Sequence, residues 1–186
     1  MMRIKLQFSD AKPVREGAAR LTEELRYRLF AEDKLAEFAA MGVPPEQASL
    51  LVKMQYRGRE MSYAEAYPDA EEMLLCLEDG SEEIAAGLLL LARSADHLRI
   101  VDIALLAPYR GQGLGRSALE QVQGQCAEAG AALHLRVQHG NPAARLYQRM
   151  GFSAVSEDAV GVEMVWAANC NCADEMVRAG SGLRAE

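Results

Sequence analysis

Arg110-Gly111-Gln112-Gly113-Leu114-Gly115 is the stretch on which the reading of this chain turns. Glycine lets the backbone take positive φ and lets N–H groups approach a ligand with no Cβ in the way. Upstream, the apolar run Leu98 to Leu106 reads as a strand that ends at Pro108. Downstream, Leu114, Leu119, Val122 and Cys126 recur at helical spacing, and Gly130 closes the helix. A glycine turn that opens a helix offers unsatisfied N–H donors and a partial positive charge, which suits a phosphate or pyrophosphate. Arg110 and Arg116 flank the turn and can supply counter-charge. Taken alone, the glycines also fit a tight turn that binds nothing. Other phosphate motifs do not match: no Gly-Lys-Ser/Thr ending follows, and Arg116 stands where the dinucleotide fingerprint needs glycine.

Working outward, Ile4, Leu6 and Phe8 alternate with polar residues as in a half-buried first strand. Asp10 is a candidate cap for a helix whose seam is Leu21, Leu25 and Leu29. The section from Ala31 to Gly42 reads neither clearly as helix nor as loop. Pro44 and Pro45 suit the first turn of a second helix, with Leu50, Leu51, Met54 and Tyr56 expected to pack inward. Beyond Pro68 the texture turns extended: Met73–Leu77, Ile84–Leu91 and Leu98–Leu106 predict three strands in an antiparallel meander. After the central helix come a strand at Leu133–Val137, a short helix from Asn141-Pro142 to Gly151, and strands at Phe152–Val155 and Val160–Trp166. The predicted class is mixed α/β, a mostly antiparallel central sheet flanked by helices. One domain over residues 1–167 is expected, with 168–186 as a tail whose composition suggests disorder.

The 186 residues are half apolar and one quarter charged, a globular composition. A formal net charge of −7 disfavours nucleic acid as a partner. No run is long enough to span a bilayer and no signal-peptide core is present, so a soluble cytoplasmic protein is expected, with no membrane partner. Cys76, Cys126, Cys170 and Cys172 are not spaced as a disulfide framework, and Cys170-Asn171-Cys172 lacks the second pair a metal site needs. No metal is expected.

The glycine turn resembles the R/Q-x-x-G-x-G/A acyl-CoA motif of the GNAT N-acetyltransferase superfamily. A second segment, Asn141-Pro142-Ala143-Ala144-Arg145-Leu146-Tyr147-Gln148-Arg149-Met150-Gly151-Phe152, resembles the later N-x-x-A-x-x-L-Y-x-x-x-G-F helix of that family. The likeness covers roughly residues 70 to 166. It implies a GNAT-like fold, acetyl-CoA as co-substrate and an amine as acceptor. It also implies that the backbone of Ile103, Ala104 and Leu105 bonds the pantetheine arm, and that Arg110, Gly111, Gln112, Gly113, Leu114, Gly115 and Arg116 cradle the pyrophosphate. Asn141 is an implied further coenzyme contact, one residue closer to the tyrosine than is usual in the family. Such proteins often dimerise, so a homodimer belongs to the expectation.

Acetyl transfer to an amine needs a neutral nitrogen, a polarised carbonyl and a proton for the leaving thiolate. The resemblance implies an N–H near Leu105 as oxyanion donor and Tyr147 as the acid; a core tyrosine on a helix face is the plainer reading of Tyr147. Asp102, the only carboxylate in an apolar strand, is the candidate base, because burial raises a carboxylate's pKa. The bland alternative pairs it with Arg99 or Arg136. Arg136 stands where some family members carry a fifth-strand carboxylate. His97 reads as a turn residue, His134 as a strand residue and His139 as a loop residue near the coenzyme helix, while Cys126 reads as core. A non-catalytic acyl-CoA-binding module is the alternative to an active N-acetyltransferase.

Overall fold

Pro45 at the first helical position of one helix, Gly113 before another and Gly151 after a third mark where the chain changes direction, and the computed structural model places an element boundary at each. It describes residues 3–8, 16–79 and 82–168. The elements are β1 (Arg3–Phe8), α1 (Glu16–Ala40), α2 (Pro45–Ala66), β2 (Glu71–Asp79), β3 (Glu82–Arg93), β4 (His97–Leu105), α3 (Leu114–Ala129), β5 (Ala132–Gln138), α4 (Ala143–Arg149), β6 (Ser153–Glu157) and β7 (Gly161–Trp166). A single 3-10 turn, Ala107–Tyr109, lies between β4 and the glycine turn. Strand order is β1-β2-β3-β4-β5-β7-β6. Pairing is antiparallel for β1/β2, β2/β3, β5/β7 and β6/β7, and parallel for β4/β5. The expected mixed, mostly antiparallel sheet is therefore present.

The described residues form two compact units. One holds those up to Ala92 together with Asp102–Ala118; the other holds Arg93–Val101 and those from Leu119 onward. In the first unit, Leu25 and Leu29 of α1 pack with Leu88 and Leu106, and Leu114 packs with Leu77 and Ala86. The stripe Leu119, Val122 and Cys126 of α3 is fully buried in the second, as are Leu133 and Leu135. Burial of side chains this size contributes about 1.5–3 kcal/mol each, so these stripes fix the elements.

One open section is resolved and one helix reading is corrected. The ambiguous section after Ala31 is the second half of α1, which continues to Ala40. On α2 the buried residues are Ala48 and Val52, whereas Leu50, Leu51 and Met54, expected inward, are exposed at 61%, 39% and 63%. The small side chains face the protein because they allow close helix packing, and Tyr56 alone of the expected set is part-buried, its ring edge-on to Tyr27 at 5.3 Å. The Asp10 cap, Cys170, Cys172 and the tail from residue 169 lie outside the described residues.

Candidate active site

Three devices in the first unit set the end of β4. Register between β2 and β3 shifts between Leu75 and Cys76, so that Ala86 is the extra residue of β3. Its carbonyl is thereby turned to accept the Leu106 N–H at 2.9 Å. Next to it, a Cβ on Gly87 would stand 2.2 Å from the Ala104 carbonyl oxygen, so only glycine permits this approach. Finally, Arg110 folds back, its Nε donating to the Leu105 carbonyl at 2.7 Å while Nη1 meets Asp33 at 2.7 Å. The end of β4 is thus held at Ala104, Leu105 and Leu106, and Arg110, expected as phosphate counter-charge, is also a brace between α1, β4 and the turn.

The turn itself carries φ +73° at Gly111 and +82° at Gly113, conformations that an L side chain adopts only under strain, and a Cβ at either position would meet no atom within 4 Å. The side chain of Gln112 bonds back to the Pro108 carbonyl at 2.7 Å. Ser117 N–H closes onto Gly113 O at 3.0 Å, and the N–H groups of Leu114 and Gly115 ahead of it have no acceptor within the helix. Such a cradle of backbone donors, open above its glycines, fits a pyrophosphate. Arg116 is exposed on the first turn of α3.

Asp102 is paired with neither Arg99 nor Arg136. Arg59 of α2 takes it instead, Nη1 to Oδ2 at 3.1 Å. Desolvation raises the Asp102 pKa; the Arg59 charge and the Ile103 N–H oppose that rise, and Glu60 adds to it. The guanidinium of Arg59 lies 4.8 Å from the Phe30 ring centre, 5.3 Å from Tyr63 and 6.0 Å from Tyr56. Burial, with the Asp102 charge second, pushes the Tyr63 phenol up to about 12. Glu60 meets Arg59 at 3.5 Å and Arg26 at 3.0 Å, and Arg26 meets Glu72 at 3.1 Å. None of Arg26, Arg59, Glu60 and Tyr63 was singled out from sequence, although Tyr56, Arg59 and Tyr63 share one helix face by their spacing of three and four.

In the second unit, Tyr147 is buried on α4 with 7% exposure, its ring 5.8 Å from Phe152 and edge-on to it. Its carbonyl accepts the N–H groups of both Met150 and Phe152 at 3.0 Å, and Gln123 of α3 bonds the Met150 carbonyl at 3.0 Å, which holds α4 by its end. Asn141 closes a local turn instead of reaching outward: Oδ1 accepts the Ala143 N–H at 2.9 Å. The β4/β5 ladder covers His97–Ile100 only.

The two arginines considered as partners of Asp102 have other carboxylates. Both guanidinium nitrogens of Arg99 reach the two oxygens of Glu163, one at 3.3 Å. Arg136 binds Asp158, and with the Val160 and Gly161 N–H groups it holds that carboxyl well below the usual range. His97 is the first residue of β4, not a turn residue, and its ring lies 4.4 Å from that of His134. Burial, with His97 and Arg99 behind it, lowers the His134 pKa, and Glu163 opposes them. His139 bonds the Asp158 carbonyl at 2.7 Å, at the β6–β7 connection. Cys126 is core, its thiol pushed up to about 11 by burial. A groove of about 430 Å³ lined by Glu23, Glu24, Tyr27, Lys53, Tyr56 and Arg57 contains none of the predicted site residues. Among the described residues no helix is long and apolar enough to cross a membrane, and no cluster of three or more metal-ligating side chains is arranged to hold an ion.

The profile of the Acetyltransferase (GNAT) family matches residues 51–152, and the chain belongs to that family. Among solved structures it is similar to the PaiA N-acetyltransferase of Thermoplasma acidophilum in complex with coenzyme A, with TM-score 0.59 and 13% identity over 89% of this chain and 99% of that one. It is also similar to an acetyltransferase of Thermus thermophilus, with TM-score 0.53 and 21% identity over 89% and 96%. A third is the ribosomal-protein-S18-alanine N-acetyltransferase of Escherichia coli, with TM-score 0.51 and 17% identity over 88% and 91%. No sequence among the curated proteins matches. At these identities the structures show a shared fold.

Proposed function

We propose that this chain is an acetyl-CoA-dependent N-acetyltransferase acting by direct attack in a ternary complex. The observation that carries the reading is the turn at Gly111–Gly115, whose positive φ values and unclaimed helix N–H groups suit a pyrophosphate. Backbone groups of Ile103, Ala104 and Leu105 would hold the pantetheine arm, those from Arg110 to Arg116 the pyrophosphate, and Asn141 a further part through the side of its amide not used in its own turn. When bound, acetyl-CoA supplies the carbonyl that the amine attacks and the thiolate that leaves.

On the protein's side, the proton of the acceptor ammonium passes to Asp102, freeing the nitrogen lone pair to form the new C–N bond. The C–S bond breaks as the phenol of Tyr147 gives a proton to sulfur, since a group with a pKa near 10 donates without being ionised at neutral pH. As the tetrahedral adduct collapses, the second proton of the attacking nitrogen restores the phenol of Tyr147; the products are the N-acetyl amide and free coenzyme A, and the proton on Asp102 leaves to solvent after each turnover. Asp102 retains 32% side-chain exposure, enough for contact with an acceptor, and the burial that raises its pKa brings it toward the range of a working base. Arg99 and Arg136, the arginines that would draw an acidic amine, are both ion-paired within the chain. With the net charge of −7 this favours a cationic primary amine, on a small molecule or a protein. We place the enzyme in the cytoplasm, and a homodimer remains part of the proposal on family grounds.

Thiol release from acetyl-CoA across a panel of polyamines, aminoglycosides, amino acids and peptide N-termini tests the reading. Amine-dependent release is expected, greatest with cationic amines. Micromolar coenzyme binding without release from any amine would establish instead a binding module that kept the fold.

A further inference from the structure

Four elements of the first unit, α1, α2, β2 and β4, contribute to a chain of alternating charges, Glu72–Arg26–Glu60–Arg59–Asp102, that ends on the candidate base. Arg59 is its most constrained member. Its guanidinium lies against the rings of Phe30, Tyr63 and Tyr56, its Nε is buried without a hydrogen-bond partner, and Nη1 and Nη2 point to Asp102 and Glu60. A guanidinium stacked on aromatic faces has few alternative rotamers, so the carboxylate it binds is equally restricted. No other cation is within salt-bridge distance of Asp102 among the described residues.

We infer that Arg59 is the positioning residue for Asp102: it fixes the carboxylate in one orientation and in the ionised form that can accept a proton from the acceptor amine. The inference rests on the proposed function, where Asp102 is the base. Two opposing influences make Arg59 necessary. Desolvation, with the Glu60 charge behind it, favours a neutral carboxyl that could accept nothing, and Arg59 with the Ile103 N–H counters them. The aromatic setting favours arginine over lysine here: lysine would keep the charge and lose the guanidinium's contact with the three rings. The charged and titratable groups around Asp102 are Arg59, Glu60 and Tyr63 from α2, with Arg26 of α1 and Glu72 of β2 one step further along the chain of charges.

The test does not need the natural acceptor. In full-length protein labelled with ¹³C at aspartate Cγ, the Asp102 resonance, assigned by its absence in Asp102→Asn, is titrated by NMR. Arg59→Gln should raise the Asp102 midpoint by at least one pH unit, Arg59→Lys by less than half of that, and Glu60→Gln, which leaves Arg59 serving a single carboxylate, should lower it. Glu60→Gln keeps the test alive should Arg59→Gln fail to fold. A midpoint that stays put in Arg59→Gln overturns the inference, and so does one that stays put in Glu60→Gln should Arg59→Gln fail to fold. Thiol release with the fastest amine of the panel separates it from the reading beneath. If the midpoint moves while the acidic limb of the rate profile does not, Asp102 is not the base and the hold of Arg59 on its carboxylate stands. Loss of the limb in Asp102→Asn without a midpoint shift in Arg59→Gln does the reverse.

Discussion

Tyr147 is nearly buried beside Phe152, on a helix whose end its own carbonyl helps to close. A side chain so placed can serve packing, chemistry or both, and removing one oxygen separates them. Tyr147→Phe keeps the ring and the edge-on contact, so coenzyme affinity should change little. If the phenol protonates the leaving thiolate, turnover should fall at least about tenfold; steady-state thiol release measures it, and turnover equal to wild type would leave Tyr147 only its packing role. The proposed acid and the proposed base differ in how they could be read from sequence. Tyr147 was reached through a local pattern, the spacing of Asn141, Leu146, Tyr147 and Gly151-Phe152. The setting of Asp102 was not: its partner Arg59 is 43 residues away, and only folding brings α2 to β4. The sequence-based guess that Asp102 pairs with Arg99 or Arg136 followed nearness along strands, whereas those arginines are taken by Glu163 and Asp158.

At the scale of elements, the end of β4 is shaped by β3. The extra residue Ala86, the glycine beside it and the return of Arg110 together present Ile103–Leu105. Gly87→Val should therefore damage the site and the fold together, since the new Cβ must displace a backbone carbonyl. We expect a loss of at least about 1–3 kcal/mol, read as a lower midpoint of thermal unfolding, with weaker coenzyme binding in whatever folded protein remains. A variant as stable as wild type would show that the 2.2 Å approach is not a real constraint. Elements with strong punctuation were legible in advance. The bounds of α3 follow from Gly113 before and Gly130 after, with a buried stripe between. The faces of α2 were not legible, because Leu50, Leu51 and Met54 look like core by type while the surface that packs is the one bearing Ala48 and Val52. Periodicity identifies a stripe; it does not say which neighbour a helix will meet.

For the molecule as a whole, the account stands on one claim, that the glycine turn holds the coenzyme. The family assignment makes a coenzyme expected, and the proposal puts its pyrophosphate over Gly111 and Gly113, where φ is positive and the space is open. Isothermal titration of acetyl-CoA into wild type and Gly113→Val tests that claim most directly. A Cβ at Gly113 meets no atom within 4 Å, so the variant should fold despite backbone strain at φ +82°, and its β-branched side chain should occupy the approach to the N–H groups. We predict micromolar binding by wild type and at least a hundredfold weaker binding by a folded Gly113→Val, whereas equal affinity in the two proteins would contradict the placement of the coenzyme on this turn.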